Sequence, residues 1–72
     1  MNHHTPITLS GLGPLITSVR TEAGLSQIQL AQELGVTSPA VSKWEAGVLT
    51  PTMKHFLELM KVCNKQIYYV NQ

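Results

Sequence analysis

The chain has 72 residues, with one cysteine, one arginine and no aspartate. A single thiol, Cys63, rules out an intrachain disulfide and fits a reducing compartment. No apolar run approaches the roughly 20 residues that a bilayer-spanning helix needs. The opening "MNHHTPITLSG" lacks the basic-then-apolar order of a signal peptide. These absences predict a cytoplasmic chain with no membrane association. With no aspartate, and with its glutamates and histidines scattered, the sequence offers no catalytic constellation, so no enzymatic activity is expected. His3 and His4 are adjacent but lack further ligands, whereas a structural metal site needs about four. No metal and no cofactor are expected.

The length allows one domain with a limited core. The net charge is only +1, but its layout is uneven. Before residue 38 the single cation is Arg20, against Glu22 and Glu33. Beyond it come Lys43, Lys54, Lys61 and Lys65, against Glu45 and Glu58. Positive charge therefore gathers on the later segments. No basic tail is present that would grip a polyanion alone.

Residues 1–10 read as a flexible segment, in which Ile7 and Leu9 would suit a short strand. Residues 11–64 carry helical signals. Leu12, Leu15, Ile16 and Val19 repeat at helical spacing over 11–23, with Pro14 expected in the first turn and Gly24 past the end. "SQIQ" is a capping box, with Ser26 at the cap and Gln29 three residues on. Leu30, Ala31 and Leu34 would face inward, and Gly35 ends this second helix early. The link "GVT" is the short glycine-containing turn of a helix-turn-helix.

The next helix lies in "GVTSPAVSKWEAG", capped by Thr37 or Ser38, with Pro39 in the first turn. At about 100° per residue, Ala40, Val41 and Trp44 share one side. Ser38, Pro39, Ser42, Lys43 and Ala46 share the other, Glu45 sits at the boundary, and Gly47 stops the helix. A fourth helix would start at "LTPTM", with Thr50 as cap and Pro51 first. Met53, Phe56, Leu57 and Met60 run down one face of it, and Leu59 and Cys63 widen that stripe. Trp44, Phe56 and the methionines are expected in the core.

Residues 65–72 form a tail. Its Ile67, Tyr68, Tyr69 and Val70 favour a strand. A lone strand is unstable, so it needs a partner: the "ITL" near the start, or the same strand of a second subunit.

"LSQIQLAQELGVTSPAVSKWEAG" resembles the helix-turn-helix core of the Cro/C1-type repressor family, also called XRE-like. The agreement lies in Gln27, Leu30-Ala31, Gly35-Val36, Val41-Ser42, Trp44-Glu45 and Gly47. The resemblance implies an all-α, lambda-repressor-like four-helix domain with a short C-terminal β-strand used in dimerisation. It also implies an ion pair between Arg20 and Glu45 that locks the first helix to the third. A narrower resemblance is to HipB-type antitoxins, short members with a C-terminal strand that pairs across a dimer. That likeness implies a HipA-like or HipT-like kinase toxin as partner.

The residues support a DNA reading in their own right. A major groove admits an α-helix, and small outward groups let a helix come close to the bases. Ser38, Pro39, Ser42 and Lys43 are the expected base contacts: hydroxyls and an ammonium for base edges, and a proline ring for a thymine methyl. Gln27, Thr37, Thr52 and Lys54 are the expected phosphate contacts. Few lysines per chain imply weak binding alone, so a homodimer on a palindromic double-stranded operator is expected. Leu59, Cys63 and the strand residues Ile67, Tyr68, Tyr69 and Val70 would supply its contact. Taken with the HipB-type resemblance, which implies the antitoxin role, the expected function is an autorepressing antitoxin. The competing readings are a stand-alone phage or restriction-modification type repressor, and a protein-interaction adaptor without DNA binding.

Overall fold

The computed structural model describes residues 9–66. Among them are four helices: α1 (Leu9–Glu22), α2 (Gln27–Leu34), α3 (Ser38–Glu45) and α4 (Met53–Val62). The all-α, helix-turn-helix architecture expected from the sequence is present. The strand residues Ile67, Tyr68, Tyr69 and Val70 lie outside the described residues, as do His3, His4 and Ile7.

Local chemistry sets the helix ends. At α2 the Ser26 hydroxyl accepts from Gln29 N at 3.0 Å, and Gln29 Oε1 accepts from Ser26 N at 2.8 Å, closing the capping box. At α3 the cap is Thr37, which accepts from Ala40 N at 3.3 Å, so Ser38 is the first helical residue and Pro39 the second. At α4 the cap is Thr52, which accepts from His55 N at 3.1 Å. The expectation of Thr50 as cap and Pro51 in the first turn is therefore corrected. Pro51 instead precedes the cap and is buried. It holds the apolar position before a cap that usually meets the fourth helical residue, here Phe56. Leu25 and Leu30 hold the same two positions at α2, as do Val36 and Val41 at α3.

All four helices also end alike. The backbone N–H groups of Leu25, Val36, Val48 and Lys65 reach back to the carbonyls of Arg20, Ala31, Lys43 and Met60 at 2.8–3.2 Å. Each closure needs a left-handed residue just before the donor. Gly24, Gly35 and Gly47 supply it in three cases, and Asn64 at φ 58° in the fourth.

Two further expectations are corrected. Helix α1 begins at Leu9 rather than residue 11, so Pro14 stands inside it and not in its first turn. Its missing N–H forgoes a bond to the Ser10 carbonyl. The face of α4 is also rotated. Leu59, Met60 and Cys63 are buried and Phe56 packs against them, while Met53 and Leu57 are 69% and 50% exposed. The apolar stripe on α4 is wider than one contact, and the core takes its other edge.

The core joins Ile16 and Val19 of α1, Leu30, Ala31 and Leu34 of α2, Val41 and Trp44 of α3, and Leu59, Met60 and Cys63 around α4. Helix α3 packs on both α1 and α2, and α4 packs on α2. One approach is unusually close. Gly13 of α1 lies against the C-terminal turn of α3, where a Cβ would press on the Glu45 carbonyl oxygen and sit 3.0 Å from the Glu45 carbonyl carbon.

Candidate nucleic-acid interface

Helix α3 is anchored on one side and open on the other. Val41 is fully buried and Trp44 is 3% exposed. The Trp44 ring also lies beside His55 of α4, with centroids 5.7 Å apart. On the opposite side Pro39, Ser42, Lys43 and Ala46 are all exposed, and Ser38 is half-buried at the first helical position. The expected base-contacting set therefore shares one face, except that Ser38 lies at its edge.

The outer end of α3 is held by Glu45. Its Oε2 accepts from Arg20 Nε at 2.6 Å. Its Oε1 accepts from Arg20 Nη2 at 3.1 Å, Thr17 Oγ1 at 2.9 Å and Gln27 Nε2 at 3.1 Å. Arg20 Nη1 donates to the Leu25 carbonyl at 2.8 Å. One carboxylate thus gathers α1, the first residue of α2 and the end of α3, while the guanidinium also holds the link entering α2. The two side chains of the pair are only 13% and 8% exposed.

Burial pushes the Glu45 carboxyl upward, but the hydrogen bonds from Arg20, Gln27 and Thr17 outweigh it and hold the group below its ordinary value. The hydrogen bond to Glu45 holds Arg20 above its own ordinary value. Both groups are charged at neutral pH. Arg20 commits three of its five N–H donors inside the protein, to Glu45 and the Leu25 carbonyl, which gives it a structural role.

The expected phosphate contacts divide into three kinds. Thr37 and Thr52 are exposed and each uses a hydroxyl lone pair as a cap, which leaves the hydroxyl proton able to donate. Lys54 is exposed, and no ion pair engages it or Lys43 among the described residues. Gln27 is half-buried, and its amide donates to Glu45. The expected subunit-contact residues Leu59 and Cys63 lie in the chain's own core, at 0% and 5% exposure. Burial pushes the Cys63 thiol up, away from the reactive thiolate. No helix among the described residues is long and apolar enough to cross a membrane.

Sequence reasoning missed Gly13 and Thr17. A signal was present: Gly13, Thr17 and Arg20 follow the spacing of one helix face, a narrow track ending in the sole arginine.

The family model described as "Helix-turn-helix" matches residues 16–70. The chain belongs to the helix-turn-helix family. Its α2–turn–α3 unit is the helix-turn-helix itself, in line with the resemblance to Cro/C1-type domains, and the chain is a DNA-binding domain of that kind. No curated protein matches the sequence. Two solved structures share the fold. One is titled "MDT Protein" and the other "Structure of HipA-HipB-O2-O3 complex". Each superposes with a TM-score of 0.76 at 17% identity, covering 96% of this helix-turn-helix chain and 97% of the matched chain.

Proposed function

We propose that the protein is a sequence-specific transcriptional repressor that binds a palindromic operator as a homodimer and serves as the HipB-like antitoxin of an autoregulated operon. The observation that carries the DNA reading is the open face of α3. Pro39, Ser42 and Lys43 stand in solvent on a helix whose opposite side is locked by Val41, Trp44 and Glu45. A helix anchored in this way enters a major groove as a rigid body. Lys43 then donates to guanine O6 or N7, Ser42 to either kind of base edge, and Pro39 lies on a thymine methyl. Thr37, Thr52 and Lys54 hold the backbone.

The homodimer follows from the small charge. One subunit neutralises few phosphates, and two subunits double both the electrostatic and the base-reading contributions. Half-sites would be about one helical turn apart. Val48, Leu49, Met53 and Leu57 are the large apolar side chains that remain exposed around the start of α4, besides Ile28 on α2. Among the described residues they are the apolar surface available for a subunit contact. The antitoxin role is supported by near end-to-end superposition on a chain of the complex titled with HipA and HipB. It predicts a HipA-like or HipT-like kinase toxin as partner.

The test is binding of the full chain to the DNA upstream of its own gene. Ser42→Ala and Lys43→Ala should each weaken binding by about 1–3 kcal/mol with the helix content unchanged. Unaltered affinity in both variants would remove α3 as the reader. Expression with the neighbouring gene product should co-purify a kinase-like protein. If none co-purifies while operator binding persists, the stand-alone repressor reading takes over.

A further inference from the structure

Gln27 opens α2, and its half-buried side chain is bonded into the Glu45 cluster rather than standing free. A primary amide has two N–H donors in one plane. When one is committed to Glu45 Oε1 at 3.1 Å, the other is set in direction, pointing away from the carboxylate. Glu45 in turn cannot drift. Two bonds from Arg20 and one from Thr17 hold it, at 2.6, 3.1 and 2.9 Å.

We propose that Glu45 is a positioning residue for DNA binding, fixing the Gln27 amide so that its second N–H meets a backbone phosphate without further ordering. The inference rests on the DNA-binding reading above and gives Gln27 and Glu45 one joint role. Three consequences follow from the geometry. The side-chain entropy of Gln27 is lost on folding, before DNA arrives, so the contact costs less when made. The Glu45 charge, which alone would repel phosphate, is neutralised by Arg20. The start of α2 and the end of α3 are tied by one hydrogen bond, so backbone grip and base-reading helix move together.

The experiment uses the full chain and a duplex that the unmodified protein enriches from a random library. Affinities are measured for Gln27→Ala, Glu45→Ala and the double variant. Each single change should weaken binding roughly ten- to a hundredfold, the worth of a hydrogen bond to a charged group. In the Gln27→Ala background, Glu45→Ala should add little, because the contact it positions is already gone. Losses that multiply would mean that Glu45 acts only by holding the fold, and would overturn the proposal. Glu45→Gln keeps an oxygen acceptor for Gln27 and should recover most of the affinity.

Should Glu45→Ala fail to fold, nuclear magnetic resonance on the unmodified chain decides. One Gln27 side-chain amide proton should exchange more slowly with water than those of exposed Gln32, and equal rates would refute the positioning role. A chain that enriches no duplex at all would overturn the DNA reading, and this inference with it. Enrichment followed by multiplied losses would overturn the positioning role alone.

Discussion

Gly13→Ala tests the packing that sets α3 in place. The added methyl would press on the Glu45 carbonyl oxygen and lie 3.0 and 3.1 Å from the Glu45 carbonyl carbon and the Trp44 carbonyl oxygen. Optimal non-bonded separations are about 3.5–4.0 Å. All three atoms are backbone, so no rotamer change relieves the overlap, and α1 must move away from the end of α3. Overpacking of this kind costs about 1–3 kcal/mol. Alanine offsets about 1 kcal/mol of it, because it is the better helix former. Moving Glu45 also weakens its bonds to Arg20, at about 1 kcal/mol each. The net loss is about 1–3 kcal/mol. For a domain of this size each kcal/mol lowers the melting temperature by about 4–8 °C. Thermal unfolding followed by far-ultraviolet circular dichroism should therefore show a drop of roughly 5–20 °C. Ser18→Ala, at an exposed position of the same helix, should stay within about 0.5 kcal/mol of the unmodified chain. A Gly13→Ala protein that melts at or above the unmodified temperature would refute the close approach of α1 and α3.

Arg20→Met leaves Glu45 charged and largely enclosed, and should cost about 3–5 kcal/mol by chemical denaturation, whereas Arg20→Met with Glu45→Leu should cost less. Additive losses would mean the two side chains do not interact. Because Glu45 is held below its ordinary carboxyl value, the unfolded chain binds its proton more readily than the folded one. Its stabilising effect is full above the unfolded value, about 4.3, and is lost as pH falls through the lower folded value. Glu45→Gln should remove this part of the acid sensitivity, and an identical acid limb in both proteins would count against it. Met53→Glu combined with Leu57→Glu should turn a sedimenting dimer into a monomer. If the dimer survives, and is lost instead on truncation after Asn64, the contact lies in residues 67–70.

Residue types fixed the motif and the ends of α2, but not the start of α1 or the cap of α4. The cap at Ser26 and the left-handed stops at Gly35 and Gly47 act over three to five residues, so the residue types alone carry them, whereas Thr37 and Ser38 both suited the cap of α3 and the fold took Thr37. The same holds for the α2–turn–α3 unit, whose inner residues Leu30, Ala31, Val41 and Trp44 follow from helical period. Arg20 paired with Glu45 was legible through family resemblance, although 25 residues separate them.

Tertiary structure decided the rest. Thr52 rather than Thr50 caps α4 because Pro51 is buried ahead of the cap, and burial is not a local property. A stripe on α4 wide enough to face two ways met the core with Leu59 and Cys63, leaving Met53 and Leu57 in solvent. Periodicity gives the existence of an apolar face and not the angle at which a neighbour meets it. Gly13 and Thr17 took their roles only once α1 lay across the end of α3. Such contacts join residues about thirty apart, and only the packed chain brings them within hydrogen-bonding distance.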